Sequence, residues 1–389
     1  MFNRKALLIC AFALSASLVG CKTNTDSNVI SVVFVPSRDA SDLTASAAKL
    51  EPILNRVAKS KGYNYTFDIS TSTDYSAATT ALVGDTADIA FLTGTSYAAA
   101  TVDYPGKVDL LLTARRDGYK VQTVDVPNPD NTEAGRKAQV DAMNGGDVNG
   151  KPYVYRGEQD STNPADSYNS ILLANKSKGV QYVDDLLGKT VGIQGPQSGA
   201  GYNYPKLFLG SMKDEATRKI WFRPDSPYLN NDYIKEHGIT IVSGKADPEK
   251  GEIQGQQISG YDSALTELMN TSSQFAAVWG FNDIRYANGY NKSGSKWYQD
   301  ASIFTDTVTV AMTIGIYNDT ISARHSLEDD KKKATIEAFK GAVADGTKDQ
   351  KGSGAQIIYD IYSHTGYVDG VDANYEAERE IYKANKANQ

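Results

Sequence analysis

The residues most able to do chemistry in this chain are those that could grip an oxyanion. Thr190-Val191-Gly192-Ile193-Gln194-Gly195-Pro196-Gln197-Ser198-Gly199-Ala200-Gly201 runs from a β-like segment through a Gly/Ser-rich turn into an apparent helix. A turn of this kind aims several backbone N–H groups at one point, and the partial positive charge of the helix start favours an anion there. An ordinary strand-to-helix loop has the same composition, so the rest of the chain has to decide between the two.

Other chemistries find little support. The three histidines, His237, His325 and His364, are far apart and lack metal-ligand spacing, so no metal and no cofactor is expected. Gly188-Lys189-Thr190 resembles the end of a phosphate-binding Walker loop, but the glycine that motif requires at position 183 is Val183. No nucleophile elbow and no usable His/Cys/carboxylate cluster is present, which argues against an enzyme. The formal net charge is −7 and the basic residues do not cluster, so nucleic acid is not an expected partner.

The N-terminus sets the compartment. Arg4 and Lys5 precede an apolar run from Ala6 to Val19 that is too short to span a bilayer comfortably and reads as a secretory signal over residues 1–20. It ends in Leu18-Val19-Gly20-Cys21, which looks like a bacterial lipobox with Cys21 as the lipidated residue. Residues 21–28 read as a solvated tether, so the protein is expected outside the cytoplasm, anchored to the membrane by lipid. Cys10 leaves with the signal, and no disulfide is expected to support the fold.

The elements that must position the turn alternate between strand and helix. Val29 to Val35 is a β-branched run that reads as a buried parallel strand, followed by a helix from Ser41 to Lys61. A second strand at Tyr63–Ile69, a helix through Val83 for which Ser72-Thr73-Asp74 offers the N-cap, a third strand at Ala87–Leu92 and a fourth at Val108–Thr113 complete a βαβαβ pattern. Ligands bind such sheets at the carboxyl ends of the strands, which places Ser37, Arg38, Tyr75, Thr95 and Ser96 on the rim. Residues 115–166 lose periodicity and read as an insertion or excursion. A strand at Ser167–Ala174 enters a second lobe, strands at Gly238–Val242 and Gln274–Trp279 continue it, and Ser302–Ile316 returns to the first. Helices at Leu327–Asp345, Ser353–His364 and Asn374–Lys386 follow. The expected organisation is α/β: lobe 1 from residues 29–114 plus 310–389, lobe 2 from 167–309, each a mainly parallel sheet with flanking helices, joined by a two-strand hinge.

Several ordered motifs carry a resemblance. They are Val35-Pro36-Ser37, Asp74-Tyr75, Ala87-Asp88-Ile89-Ala90, Tyr168-x-Ser170, Asp184-Asp185-Leu186-Leu187-Gly188-Lys189 and Tyr261-Asp262. Together they resemble the phosphate/phosphite/phosphonate-binding family of ABC-transporter substrate-binding proteins, with a type II periplasmic-binding-protein fold. The resemblance implies a lipoprotein, acting as a monomer beside membrane permease subunits, that takes a phosphonate or phosphate ester into an interlobe cleft. It implies that Tyr75 and Tyr168 donate hydroxyls to the phosphorus-bound oxygens and that the turn at Ser198 holds them on backbone N–H groups. Gln194, Thr95 and Ser96 complete the expected contacts.

The chain departs from the family's usual Ser-Thr-Ser run, which here is Ser198-Gly199-Ala200, and Tyr261 stands where a histidine often precedes the acidic residue, here Asp262. Aromatic surface takes the place of the lost donors: Tyr202, Tyr204, Tyr261, Trp279 and Phe281 could approach the cleft. A larger phosphorylated aromatic ligand such as thiamine (pyro)phosphate is therefore the second reading, with Asp262 or Asp283 pairing with its cationic ring. An extracytoplasmic hydrolase or an adhesive lipoprotein is the alternative of another class.

Overall fold

The computed structural model describes residues 28–35, 40–119, 132–145, 147–148, 151–152, 154–195 and 198–387. The signal and tether, Cys21, Ser37 and Arg38 lie outside the described residues. Among those described, no helix is long and apolar enough to cross a membrane.

In chain order the strands are β1 (Val29–Phe34), β2 (Thr66–Thr71), β3 (Ile89–Leu92), β4 (Val108–Tyr119), the hairpin β5 (Asp147–Val148) and β6 (Lys151–Pro152), β7 (Gln159–Ala165), β8 (Ser167–Tyr168) and β9 (Ser170–Asn175). They continue with β10 (Thr190–Ile193), β11 (Thr240–Val242), β12 (Glu252–Gln257), β13 (Ala277–Phe281), β14 (Thr307–Met312), β15 (Ile316–Tyr317), β16 (Thr320–Arg324) and β17 (Gly366–Asp369).

Two large sheets result, and their logic is the same. In the first, β1 pairs in parallel with β2 and β3, and β16 lies antiparallel between β3 and β4. In the second, β10 pairs in parallel with β12 and β13, and β9 lies antiparallel between β13 and β14. The orders β2-β1-β3-β16-β4 and β12-β10-β13-β9-β14 are one topology used twice. In each sheet the antiparallel member is the strand that follows a crossing from the other lobe. The crossings meet where β8 pairs antiparallel with β15, Tyr168 opposite Ile316 and Ser167 opposite Tyr317.

Each lobe has its own core, as expected when apolar strands are buried on both faces. The first is built on Phe34, Phe91 and Tyr362, with Phe34 and Phe91 edge to face at 4.5 Å. The second is built on Phe208, Trp221 and Trp279.

Two boundaries differ from the sequence reading. β14 stays paired with β9 through Met312, so residues 310–312 belong to the second sheet and the return begins at β15. Nor is the described part of 115–166 a surface excursion. β4 runs on to Tyr119 because β7 pairs with its far end, and the helix Glu133–Met143 packs Val140 and Met143 into the second core. Asn144 then closes that helix onto β14 through paired bonds with Thr309, 2.7 and 2.8 Å. Polar residues spaced for a half-exposed strand and a short helix leave no long apolar run to read.

The last helix, Glu376–Ala387, joins the lobes. Arg379 holds Asp372, and Lys386 holds Asp103, both in the first lobe. On its other side Ala377 and Ile381 pack against a small cluster of Ala200, Tyr204 and Ile316. Glu378 is buried within this bridge, 3% exposed, near Gly94 and the equally buried Tyr204 hydroxyl, without a well-formed hydrogen bond to either carboxyl oxygen. Burial pushes its carboxyl up to about 7, against the pull of Tyr204 and Arg379.

A carboxyl with a raised native pKa contributes fully to stability below its unfolded value and loses that contribution as pH rises through about 7. Glu378→Gln is therefore expected to stabilise the fold by on the order of 2 kcal/mol at pH ~8, seen as a higher melting temperature, and to leave stability nearly unchanged at pH ~5. Thermal melts at both pH values check this; equal shifts at the two would show that the charge is not the cause.

Candidate functional site

The second-lobe wall of the cleft grows out of β10. Gln194 N–H donates to the Gly201 carbonyl at 3.0 Å, Ser198 N–H to that of Gly195 at 2.9 Å, and Ser198 Oγ accepts from Gly201 N–H at 2.9 Å. Gly201 has to be glycine, because a Cβ there would lie 2.2 Å from Gln194 Cγ. The short helical turn Gly199–Asn203 and the helix Tyr204–Gly210 follow. Ser170, on β9, ties this turn to the crossing strand by donating its hydroxyl to the Ala200 carbonyl. Tyr261 begins the helix Tyr261–Met269, and its hydroxyl meets Ser198 Oγ at 3.4 Å. Tyr168 leans on Phe281 with ring centroids 4.4 Å apart, and Phe281 is 6.2 Å from Tyr261, giving a continuous aromatic wall.

The first-lobe wall uses helix starts. Tyr75 opens the helix Tyr75–Val83, whose N-cap Asp74 accepts from Ala77 N–H at 2.7 Å. Thr93 caps the helix Gly94–Asp103. A cavity of about 280 Å³ is lined by Val35, Tyr75, Thr93, Arg116, Asp319 and Tyr362. An adjoining cavity of about 210 Å³ shares Arg116 and Ser363 with it and reaches Tyr168, Phe281 and Asn282 across the cleft. Among the described residues neither the Tyr75 nor the Tyr168 hydroxyl makes a hydrogen bond, so each can serve a ligand. Burial pushes the phenols of Tyr75, Tyr168 and Tyr261 up, which keeps all three as protonated donors.

Beneath them lies a charged network. Arg116 donates from Nη2 to Asp319 Oδ2 at 2.7 Å, from Nη1 to Asn318 Oδ1 at 2.9 Å and from Nη2 to the Tyr362 carbonyl at 3.3 Å. His364 Nε2 lies 3.2 Å from the same Asp319 oxygen. Burial works to raise Asp319, but the Arg116 charge and the His364 bond outweigh it and bring the carboxyl down to about 2. Burial lowers His364, with Arg116 adding to it, despite the Asp319 contact.

Of the site residues expected from sequence, Tyr75, Tyr168, Ser198, Gly199 and Tyr261 lie on these two walls. Gln194 is committed to the backbone: its Oε1 accepts from Gly260 N–H at 3.0 Å and so positions Tyr261. Ser96 is engaged with Thr93, while Thr95 is exposed on the first turn of its helix and lines neither cavity. Ala200 is buried in the bridging cluster, and Tyr202 packs against the second core. Trp279 is a correction: it is 1% exposed and edge to face with Phe208, so it offers no surface to a ligand. Asp262 is exposed and held by Lys292 at 2.7 Å and Asn288 at 3.0 Å, outside both cavities. Asp283 is wholly buried, gripped by Arg285 and by the Tyr155 hydroxyl at 2.7 Å, and cannot meet a ligand's cation. A larger open depression of about 730 Å³ beside Asp262, Lys292 and Trp297 gathers none of the residues of either wall.

Arg116, Asp319, Tyr362 and Ser363 escaped the sequence reading. The available signal was Arg115-Arg116-Asp117 directly after an apolar strand, where a continuation of β4 carries its charges to the cleft.

Comparison with known proteins bears on this geometry. The family model described as ABC transporter, phosphonate, periplasmic substrate-binding protein matches residues 32–375. A search of curated protein sequences gives no match. Among solved structures, XAC2383 from Xanthomonas citri bound to chloride ion superposes with a TM-score of 0.53 at 10% identity, covering 93% of this chain and 100% of its own. The same protein bound to ATP gives 0.50 at 10% identity, with 92% and 96% covered. Mh-p37 from Mycoplasma hyorhinis, a proposed thiamine pyrophosphate transporter, gives 0.53 at 11% identity, with 92% and 98% covered. These likenesses concern the fold; the family itself is shown by the match over residues 32–375. The chain belongs to the periplasmic phosphonate-binding family of ABC-transporter substrate-binding proteins.

Proposed function

We propose that this chain captures a phosphonate or phosphate ester between its two lobes, closes about the β8/β15 pair, and hands the ligand to membrane permease subunits. The observation that carries the reading is the placing of the Tyr75 and Tyr168 hydroxyls on adjoining cavities that share Arg116. Neutral hydroxyl and N–H donors bind an oxyanion without burying an unpaired counter-charge. The Ser198 turn supplies the remaining donors from the second lobe: Ser198 Oγ occupies the Gly201 N–H, so an anion meets the N–H groups of Gly199 and Ala200. The protein works as a monomer held outside the cytoplasm by lipid on Cys21.

The aromatic wall of Tyr168, Phe281 and Tyr261 supports a second reading, a phosphorylated ligand that carries a ring. With Trp279 and Asp283 buried, the ring's partners are this wall alone.

Titration calorimetry against methylphosphonate and against a phosphate monoester tests both readings. Tyr75→Phe and Tyr168→Phe should each weaken binding by about 0.5–3 kcal/mol; if both are silent, these hydroxyls do not meet the ligand. A Cβ at Gly199 meets nothing within 4 Å, so Gly199→Val should fold normally yet block the approach to the turn. Undiminished affinity in that variant would remove the Ser198 turn from the site. Native mass spectrometry of the purified protein checks for retained ligand, and a ring-bearing phosphate found there would favour the second reading.

A further inference from the structure

The joint between the lobes holds an ionisable group that no partner satisfies. Glu378, in the first turn of the last helix, is 3% exposed, and neither carboxyl oxygen makes a well-formed hydrogen bond. From the first lobe Gly94 closes over it, since a Cβ there would lie 3.5 Å from Oε1. From the second comes the Tyr204 hydroxyl, also buried and also without a well-formed bond. Its helix neighbours Ala377 and Ile381 pack against Ala200, Tyr204 and Ile316. Ala200 belongs to the Ser198 turn, and Ile316 stands opposite Tyr168 in the hinge. The seat of the last helix therefore bears on both the turn and the hinge.

We infer that Glu378 is a proton-operated fastening between the lobes: neutral, it lets the last helix sit on the second lobe and support the Ser198 turn; ionised, it draws in water, lifts the helix from that lobe and weakens ligand capture. This rests on the phosphonate or phosphate-ester reading given above and adds the regulation of that site.

The surroundings supply no counter-charge that would let the ion stay buried. Tyr204 from the helix after the turn, Tyr168 from β8, Tyr317 from β15 and Tyr375 from the turn before the last helix are close enough to feel its charge, and burial keeps all four protonated. Tyr375 already gives its hydroxyl to the Asn318 carbonyl at 2.9 Å. Arg379, on the same helix, is turned to Asp372 at 2.9 Å and Glu376 at 2.8 Å. Burial outweighs the pull of the Tyr204 hydroxyl, of the Glu378 N–H and of Arg379, and pushes the carboxyl up to about 7. The fastening is thus complete in mild acid and is lost as pH rises through about 7. By linkage, a ligand that needs the seated helix takes up a proton when it binds above that point.

The test is calorimetry with methylphosphonate at pH ~6 and pH ~8 on the wild type, Glu378→Gln and Glu378→Leu. The ligand's own ionisation is common to all three proteins, so the comparison between them isolates Glu378. The expected result is a wild-type affinity that falls by up to about tenfold more than that of either variant, the loss set by one proton with a midpoint near 7. An equal fall in all three overturns the inference and leaves the phosphonate reading standing. Hydrogen exchange of the ligand-free protein reads the fastening directly. At pH ~8 the amides of Tyr204–Gly210 and Glu376–Ala387 should be less protected in the wild type than in the variants, with the other helices unchanged. Equal protection, or a loss spread over the whole molecule, overturns it. Should neither variant fold, the wild type still decides: protection of these two helices, set against that of the others, must fall between the two pH values. No binding of methylphosphonate or of a phosphate monoester at any pH removes the phosphonate reading, and the exchange result then decides the fastening alone.

Discussion

The structure depends on a pairing of four residues. Tyr168 opposite Ile316 and Ser167 opposite Tyr317 are the place where the two chain crossings touch, and Tyr168 and Asp319, which line the two cavities, hang from the same backbone. Tyr168 is itself a hinge residue, and Asp319 follows β15 by two positions. Asn318, between them, is the knot. Its N–H donates to the Asp166 carbonyl at 2.9 Å, its amide donates to Ala114 and Ala165, its Oδ1 accepts from Arg116, and its carbonyl accepts from Tyr375. Hinge and cleft floor are therefore one hydrogen-bonded unit, and Tyr75 lines the same cavity as that floor, while the Ser198 turn faces it from the other lobe.

Electrostatics follow from that floor. Arg116 lies in the wall of both cavities, yet its charge is matched by Asp319 at 2.7 Å, so the cleft is close to neutral. An attraction spent on a fixed partner gives little general affinity for anions. Under the proposed reading what remains is directional: hydroxyl and N–H donors at chosen points. A chain with a net charge of −7 gains no long-range attraction for anions either, so selection falls to geometry at contact.

Much of this was legible in sequence where burial on both faces forces a simple pattern. β1, β3 and β9 are apolar runs, and the Gly/Ser break after β10 marks its turn. Tyr75 and Tyr168 emerged through ordered motifs, not periodicity. Arg116 stayed hidden because β4 beyond Thr113 is held by pairing with β7 and β17, partners 40 or more residues away that local composition does not reveal. Trp279 misled for a different reason: both it and Phe281 pair with β9, but Trp279 is covered by Phe208, while Phe281, the last residue of β13, meets Tyr168 at the cleft. Sequence marks an aromatic near a strand end without saying which neighbour covers it. Asp319 lies in a short stretch between β15 and β16 whose course is set by Asn318, through backbone and side-chain bonds to residues far away in sequence.

The last helix has a mechanical consequence. Two strands side by side can both bend and twist, so a molecule joined only by β8 and β15 would have two soft coordinates. The helix Glu376–Ala387 is rooted in one lobe by Arg379 and Lys386 and rests on the other through Ile381 and the Asn385–Asn203 contact at 3.2 Å. A third point of support beside the two strands resists twist and so favours a single axis of motion. The jaws then meet in one register each time they shut, and a donor array that selects by position keeps its aim from one capture to the next.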